Sequence, residues 1–152
     1  MLTLWQRFQK WIGRSDVWFG GSLYMKRWRW FSNDGIGVRV HNIRRSDSDR
    51  ELHDHPFDFT SIILWGGYWE TRDDGSRTCY GPGSVVHRRA EMLHRLELPG
   101  PAWTLVFRGP YRREWGFVRD GVWIRWQDFV EERRDSLAAE SSGGAYRAPS
   151  SV

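Results

Sequence analysis

From residue 27 onward the chain is a succession of short alternating segments cut by turn residues, with no helical pattern between them. That pattern restricts it to an antiparallel sandwich or barrel. Arg27-Trp28-Arg29-Trp30-Phe31 alternates, as does Ile36 to His41, and Ser32-Asn33-Asp34-Gly35 between them carries the Asp-Gly pair that hairpins favour. A polar loop from Arg44 to Glu51 leads into Leu52-His53-Asp54-His55-Pro56. The next strand, Phe59 to Trp65, stops at Gly66-Gly67, and further turns fall at 73–76 and 81–83. Ser84 to Arg89 and segments at 93–98, 102–108, 114–119 and 122–126 complete the strand set, the last with Val122, Ile124 and Trp126 on one face. No fixed-period repeat is present, and 152 residues suffice for one domain with a proper core.

The ends read differently. In 1–12, Leu4, Trp5, Phe8, Trp11 and Ile12 fall at helical spacings and Gly13 suits a stop, so residues 1–13 are expected to pack as a short amphipathic helix on a barrel spanning 22–130. The alternative is a membrane-surface anchor. A closing helix is expected over 127–137, followed by a disordered tail over 138–152, rich in Ser, Gly and Ala.

Composition narrows the function classes. One cysteine, Cys79, excludes an internal disulfide and the thiolate zinc frameworks. It reads as a buried small hydrophobe, the alternative being an oxidisable thiol at the barrel mouth. With no signal-peptide pattern and no run near the ~20 apolar residues of a membrane span, the expected location is the cytoplasm. The net charge of +4 comes from arginines scattered among acids, so no nucleic-acid partner is expected, while an acidic substrate stays open. Eleven tryptophans exceed what a core this small needs, and some are expected to line a cavity or an interface. The late strands, Arg112 to Phe117 and Val122 to Trp126, are candidates for a homodimer sheet.

Three of the five histidines form the chemical constellation. His53 and His55, two apart in an extended segment, turn their rings to one face. His94 lies in a distant alternating segment beside Leu96 and Leu98. Two imidazoles from one strand and a third from another can cap one side of a metal and leave positions open for substrate, water or dioxygen. His41 reads as a strand residue or a partner behind the ligands, and His87 as core or cavity lining.

These spacings resemble the cupin superfamily. His53 and His55 are followed by four residues, Thr60, six residues and Gly67, at the spacing of that family's first motif. Pro82-Gly83 leads to His94 at the distance of the second. The resemblance implies an all-β, single-domain jelly-roll barrel with a divalent metal on His53, His55 and His94. Thr60 stands where the family carries a glutamate ligand, Arg89 and Glu91 replace a proline and a glycine, and Leu98 replaces an asparagine. Asp54, Asp58 and Glu91 are the carboxylates near enough in sequence to substitute, although strand parity turns Asp54 away. Three histidines without glutamate also resemble the thiol dioxygenases, which implies Fe(II), with Ni, Mn or Zn as alternatives.

The expected activity is that of a metal-dependent dioxygenase acting on a small polar molecule. Arg39, Thr60, Tyr68, Trp69, Tyr80 and Arg88 are its candidate contacts. The alternative activities are a non-redox isomerase or epimerase, a small-ligand-binding module, and a structural role in an assembly. Gly81-Pro82-Gly83 is a turn rather than a phosphate cradle, since no lysine or helix comes after it.

Overall fold

A computed structural model describes residues 13–143 except 20, 34 and 48–50, with side chains from 137 onward described only at 138. The expected N-terminal helix lies outside these residues. Twelve strands form two six-stranded antiparallel sheets. The first, in the order β1-β2-β3-β10-β5-β8, comprises β1 (Arg14–Phe19), β2 (Ser22–Ser32), β3 (Gly37–Ile43), β10 (Ala102–Arg108), β5 (Phe59–Trp65) and β8 (Val85–Arg88). The second, in the order β12-β11-β4-β9-β6-β7, comprises β12 (Val122–Arg125), β11 (Gly116–Arg119), β4 (Leu52–His53), β9 (His94–Glu97), β6 (Tyr68–Arg72) and β7 (Arg77–Tyr80). Helix α1 covers Trp126–Gly143.

Period-two alternation decides which side chains face inward. On β10, Ala102, Thr104, Val106 and Arg108 are buried while Trp103 and Phe107 are exposed. The hairpin at 32–36 forms where the sequence places it, with the Asn33 side-chain oxygen accepting from the amides of Gly35 and Ile36. Gly67 has a steric reason, because a Cβ there would come within 2.6 Å of the Tyr80 carbonyl oxygen.

Two clusters hold the layers together. Ile43, Ile63, Tyr68, Val86, Leu96 and Ala102 fill one end. At the other, Phe117 stacks on Phe129 of α1 at 4.1 Å between centroids and on Phe19 of β1 at 6.1 Å. Phe129 is fully buried, which contributes about 2–3 kcal/mol to docking the helix.

Three expectations change here. β1 extends the first sheet beyond the expected barrel start, because Ser15, Val17 and Phe19 alternate inward. Trp126 opens the helix instead of ending β12, and its ring stacks on Trp115 at 5.7 Å. The helix also runs to Gly143, six residues past its expected end, so residues 138–143 of the expected tail are helical; 144–152 lie outside the described residues.

Candidate metal centre

β4 and β9 bring the three histidines together by pairing His53 with His94 across the sheet. β4 ends at His53, yet the chain stays tied on both sides, with Asp54 N donating to Gly116 O and His55 N to Ala90 O. His55 therefore returns to the face of His53. The ring centroids lie 4.8–5.1 Å apart, and one nitrogen of each ring falls within 4.8 Å of the others. Two Nε2 atoms, of His55 and His94, face each other at 2.8 Å.

The protonation state suits a ligand set. Burial, with the neighbouring His94 and His53, holds His55 well below the ordinary histidine range. Burial likewise lowers His94, to about 4, even though Glu70 opposes it. Both are neutral near pH 7, which leaves a lone pair on each ring, as coordination requires.

Behind His94 sits a group that sequence spacing does not reveal. Glu70 on β6 is fully buried, and its Oε1 accepts from His94 Nδ1 at 2.5 Å. Burial alone would raise Glu70, but the His94 hydrogen bond and the Arg88 charge outweigh it and hold the carboxyl at about 2. A carboxylate on Nδ1 fixes the tautomer and leaves Nε2 free to bind a metal. Arg88 clamps the same oxygen through Nε at 2.5 Å, and gives Nη1 to Ser61 Oγ and Nη2 to the Tyr68 hydroxyl. His53 is backed more loosely, with Nδ1 at 3.7 Å from Asp47 Oδ2.

The expected carboxylate substitutes lie elsewhere. Asp54 is buried facing away, as strand parity requires, and accepts from Gly116 N, Arg113 Nη1 and Trp123 Nε1. Asp58 accepts from Ala90 N and Arg112, and Glu91 meets the same arginine at the surface. Among the described residues, the metal-competent cluster is the three histidines alone.

A cavity of about 270 Å³ opens onto the histidines and is lined by Arg39, Tyr68 and Arg88 among the expected contacts. His41 also lines it. Thr60 does not: it points to the outer face of β5, where its hydroxyl meets His87 Nδ1 at 3.0 Å. The inward positions of that strand are Phe59, Ser61 and Ile63, so Thr60 cannot fill the family's ligand position. His87 is exposed rather than core or lining, because β8 turns Val86 and Arg88 inward. Tyr80 packs behind Tyr68 at 6.1 Å, and Trp69 is an outer-face ring under Arg77. Cys79 is exposed on β7, not buried. A second, more apolar cavity of about 440 Å³ lies towards α1 and shares Val17, Tyr24, His53 and Trp115 with the first.

Neither a protein-family model nor a curated protein matches this sequence. Solved structures do. The cupin-2 domain protein Rru_A2000 from Rhodospirillum rubrum superposes with a TM-score of 0.58 at 17% identity, over 90% of this chain and 93% of its own. This chain has the cupin fold. KdgF from Halomonas sp. (TM-score 0.53, 15% identity, 65% of this chain and 88% of its own) shares that fold. So does FeII HppE (0.53, 10% identity, 63% and 56%). The cupin barrel thus sets His53, His55 and His94 side by side at a cavity, in a cluster able to hold a divalent ion. No described helix is long and apolar enough to cross a membrane.

Proposed function

We propose that this cupin is an Fe(II)-dependent dioxygenase-type enzyme whose three histidines hold the metal and whose cavity takes a small polar substrate. The observation that carries this is the all-nitrogen, carboxylate-free cluster of three imidazoles lining a cavity. A bound ferrous ion would supply redox chemistry and positions where substrate and dioxygen meet. The chain supplies the rest. Glu70 fixes His94, while Tyr68 and Arg88 form one wall and Arg39 another. Phe57, Phe59 and Trp115 give the space between an apolar lining.

Nitric oxide, a dioxygen surrogate, tests this without knowledge of the substrate. Fe(II)-loaded protein exposed to it anaerobically should give a near-stoichiometric spin-3/2 electron paramagnetic signal that His94→Ala lacks. Iron that binds stoichiometrically and never takes up nitric oxide would remove the dioxygenase reading and favour a non-redox role for the centre. Zinc in its place, which has no redox chemistry, would point the same way.

A homodimer belongs to the same proposal. The outer face of the first sheet carries one apolar row across five strands, Trp28, Val40, Leu105, Ile62 and Val85, neighbours by register. Leu64, Trp65 and Phe107 add exposed area beside it. A flat sheet face of this kind complements itself under a two-fold axis. Sedimentation at micromolar concentration should give twice the chain mass, and Leu105→Glu/Ile62→Lys should give the monomer; a wild-type monomer contradicts the assignment.

A further inference from the structure

Strand alternation turns Arg39 and His41 of β3 inward, together with Arg27 of β2, which pairs with His41. Inward positions of a sheet normally carry apolar residues. Here they carry two guanidiniums that face the cavity, and among the described residues neither has a carboxylate partner. Arg88, the third lining cation, is matched by Glu70. No described lining residue is an aspartate or glutamate.

Arg39 is the decisive side chain. It is 7% exposed, and its Nε has no hydrogen-bond partner. Its neighbours are the Phe57 ring, 5.4 Å below the guanidinium carbon, and the Tyr111 hydroxyl, which hydrogen-bonds to it. A cation–π contact returns roughly 0.5–2 kcal/mol, whereas desolvating an ion costs several. Arg27 lies beside it and has only Ser15 Oγ on its Nε. Both guanidiniums are held below the ordinary arginine range, by burial first and then by nearby arginines. His41, between them, is depressed to about 3 and adds no negative charge. Its Nε2 is also without a partner. A positive, partly unsatisfied wall of this kind is incomplete until an anion reaches it.

We propose that the cavity binds a small organic anion whose carboxylate or phosphate head is forked by Arg39, with Arg27 and His41 beside it, and whose body lies against Phe57 and Phe59 towards the three histidines. The proposal names the substrate class of the centre described above. It rests on that reading only for the anion's place next to a metal. The cavity's volume, about 270 Å³, lies just below the roughly 300–1,000 Å³ of drug-sized ligand sites and restricts the body to about one ring.

Thermal unfolding at fixed ionic strength tests the proposal on metal-free and metal-loaded protein alike. The probes are inorganic phosphate and benzoate, each replacing chloride, and benzamide as an uncharged analogue added without changing the salt. Benzoate or phosphate at ten millimolar should raise the wild-type Tm by about 2–6 °C by mass action, and benzamide should not. The larger of the two shifts distinguishes carboxylate from phosphate. Arg39→Met should abolish the shift while taking up metal as wild type does, and Arg39→Lys, which keeps the charge but loses the fork, should retain a fraction of it. A shift that survives in Arg39→Met, an equal shift with benzamide, or no shift in wild type would overturn the proposal. If Arg39→Met fails to fold, the Arg39→Lys comparison decides, and an undiminished shift there counts against the fork. Loss of metal uptake in every form, with the anion shift intact, would instead sink the metal reading and leave the anion site standing.

Discussion

Glu70→Ala should unfold about 3–5 kcal/mol more easily than wild type, the cost of leaving a buried charge without its partner. The stranded charge is Arg88, 1% exposed, whose remaining hydrogen bonds go to the Ser61 and Tyr68 hydroxyls and whose guanidinium otherwise faces the Phe59, Tyr68 and Tyr80 rings. The same substitution frees His94 to rotate and to change tautomer, so metal affinity should fall by a further factor of about 10–100. The two effects separate in Glu70→Gln/Arg88→Met. Removing both charges should recover more than half of the lost stability, since a buried ion pair often gives way to neutral groups at little cost. Metal affinity should stay low, because the acceptor on His94 Nδ1 remains an uncharged amide. Urea unfolding and metal titration of the single and double variants check both halves. A single Glu70→Ala loss below about 1 kcal/mol would show that the pair is not buried as the geometry has it.

Asp54→Ala should cost about 3–4 kcal/mol, the largest effect expected of any residue that points away from the centre. Its carboxylate, 2% exposed, gathers Arg113 Nη1 at 2.6 Å, Gly116 N at 2.7 Å and Trp123 Nε1 at 3.0 Å. Those three donors come from β11, β12 and the segment leading into them. Asp54 thereby ties the β11–β12 hairpin to the two residues it separates, His53 and His55. Asp54→Asn keeps an acceptor for one donor and should lose about half as much. Metal binding should weaken in Asp54→Ala even at temperatures where the barrel stays folded, because the His53–His55 arm loses its anchor. Calorimetry with a metal titration at 10 °C reads both, and wild-type metal affinity in a destabilised Asp54→Ala would contradict the anchoring role.

The strand pattern and the three-histidine cluster were legible because each rests on local periodicity. Phe59–Trp65 and Ala102–Arg108 alternate strongly enough to define their own limits, and both form strands over those residues. The His-x-His pair needs only an extended backbone, and backbone bonds to Gly116 and Ala90 keep it extended past the end of β4. What failed depends on groups far away in sequence. Thr60 is the exception: it sits at the motif spacing, yet counting by twos from His53 and His55 reaches Phe57, Phe59 and Ser61, which line the cavity, and leaves Thr60 on the outer face of β5. His87, expected in the core or the cavity lining, is exposed instead, because β8 turns its neighbours Val86 and Arg88 inward. A buried arginine contradicts hydrophobic patterning until Glu70 is known to face it. Glu70 itself hides because Trp69 points outward beside it, inverting the alternation a buried face would show. A glutamate two residues after Tyr68, on a strand whose other inward residue is aromatic, was the available signal.

The central claim is that His53, His55 and His94 hold a metal. Elemental analysis of protein purified without chelator, compared with His53→Ala/His94→Ala, tests it most directly. The account predicts close to one iron per chain in wild type, after anaerobic reconstitution with Fe(II) where needed, and less than a tenth of that in the double variant. A folded wild-type protein that takes up no divalent metal under those conditions, or a double variant that retains it, would contradict the account.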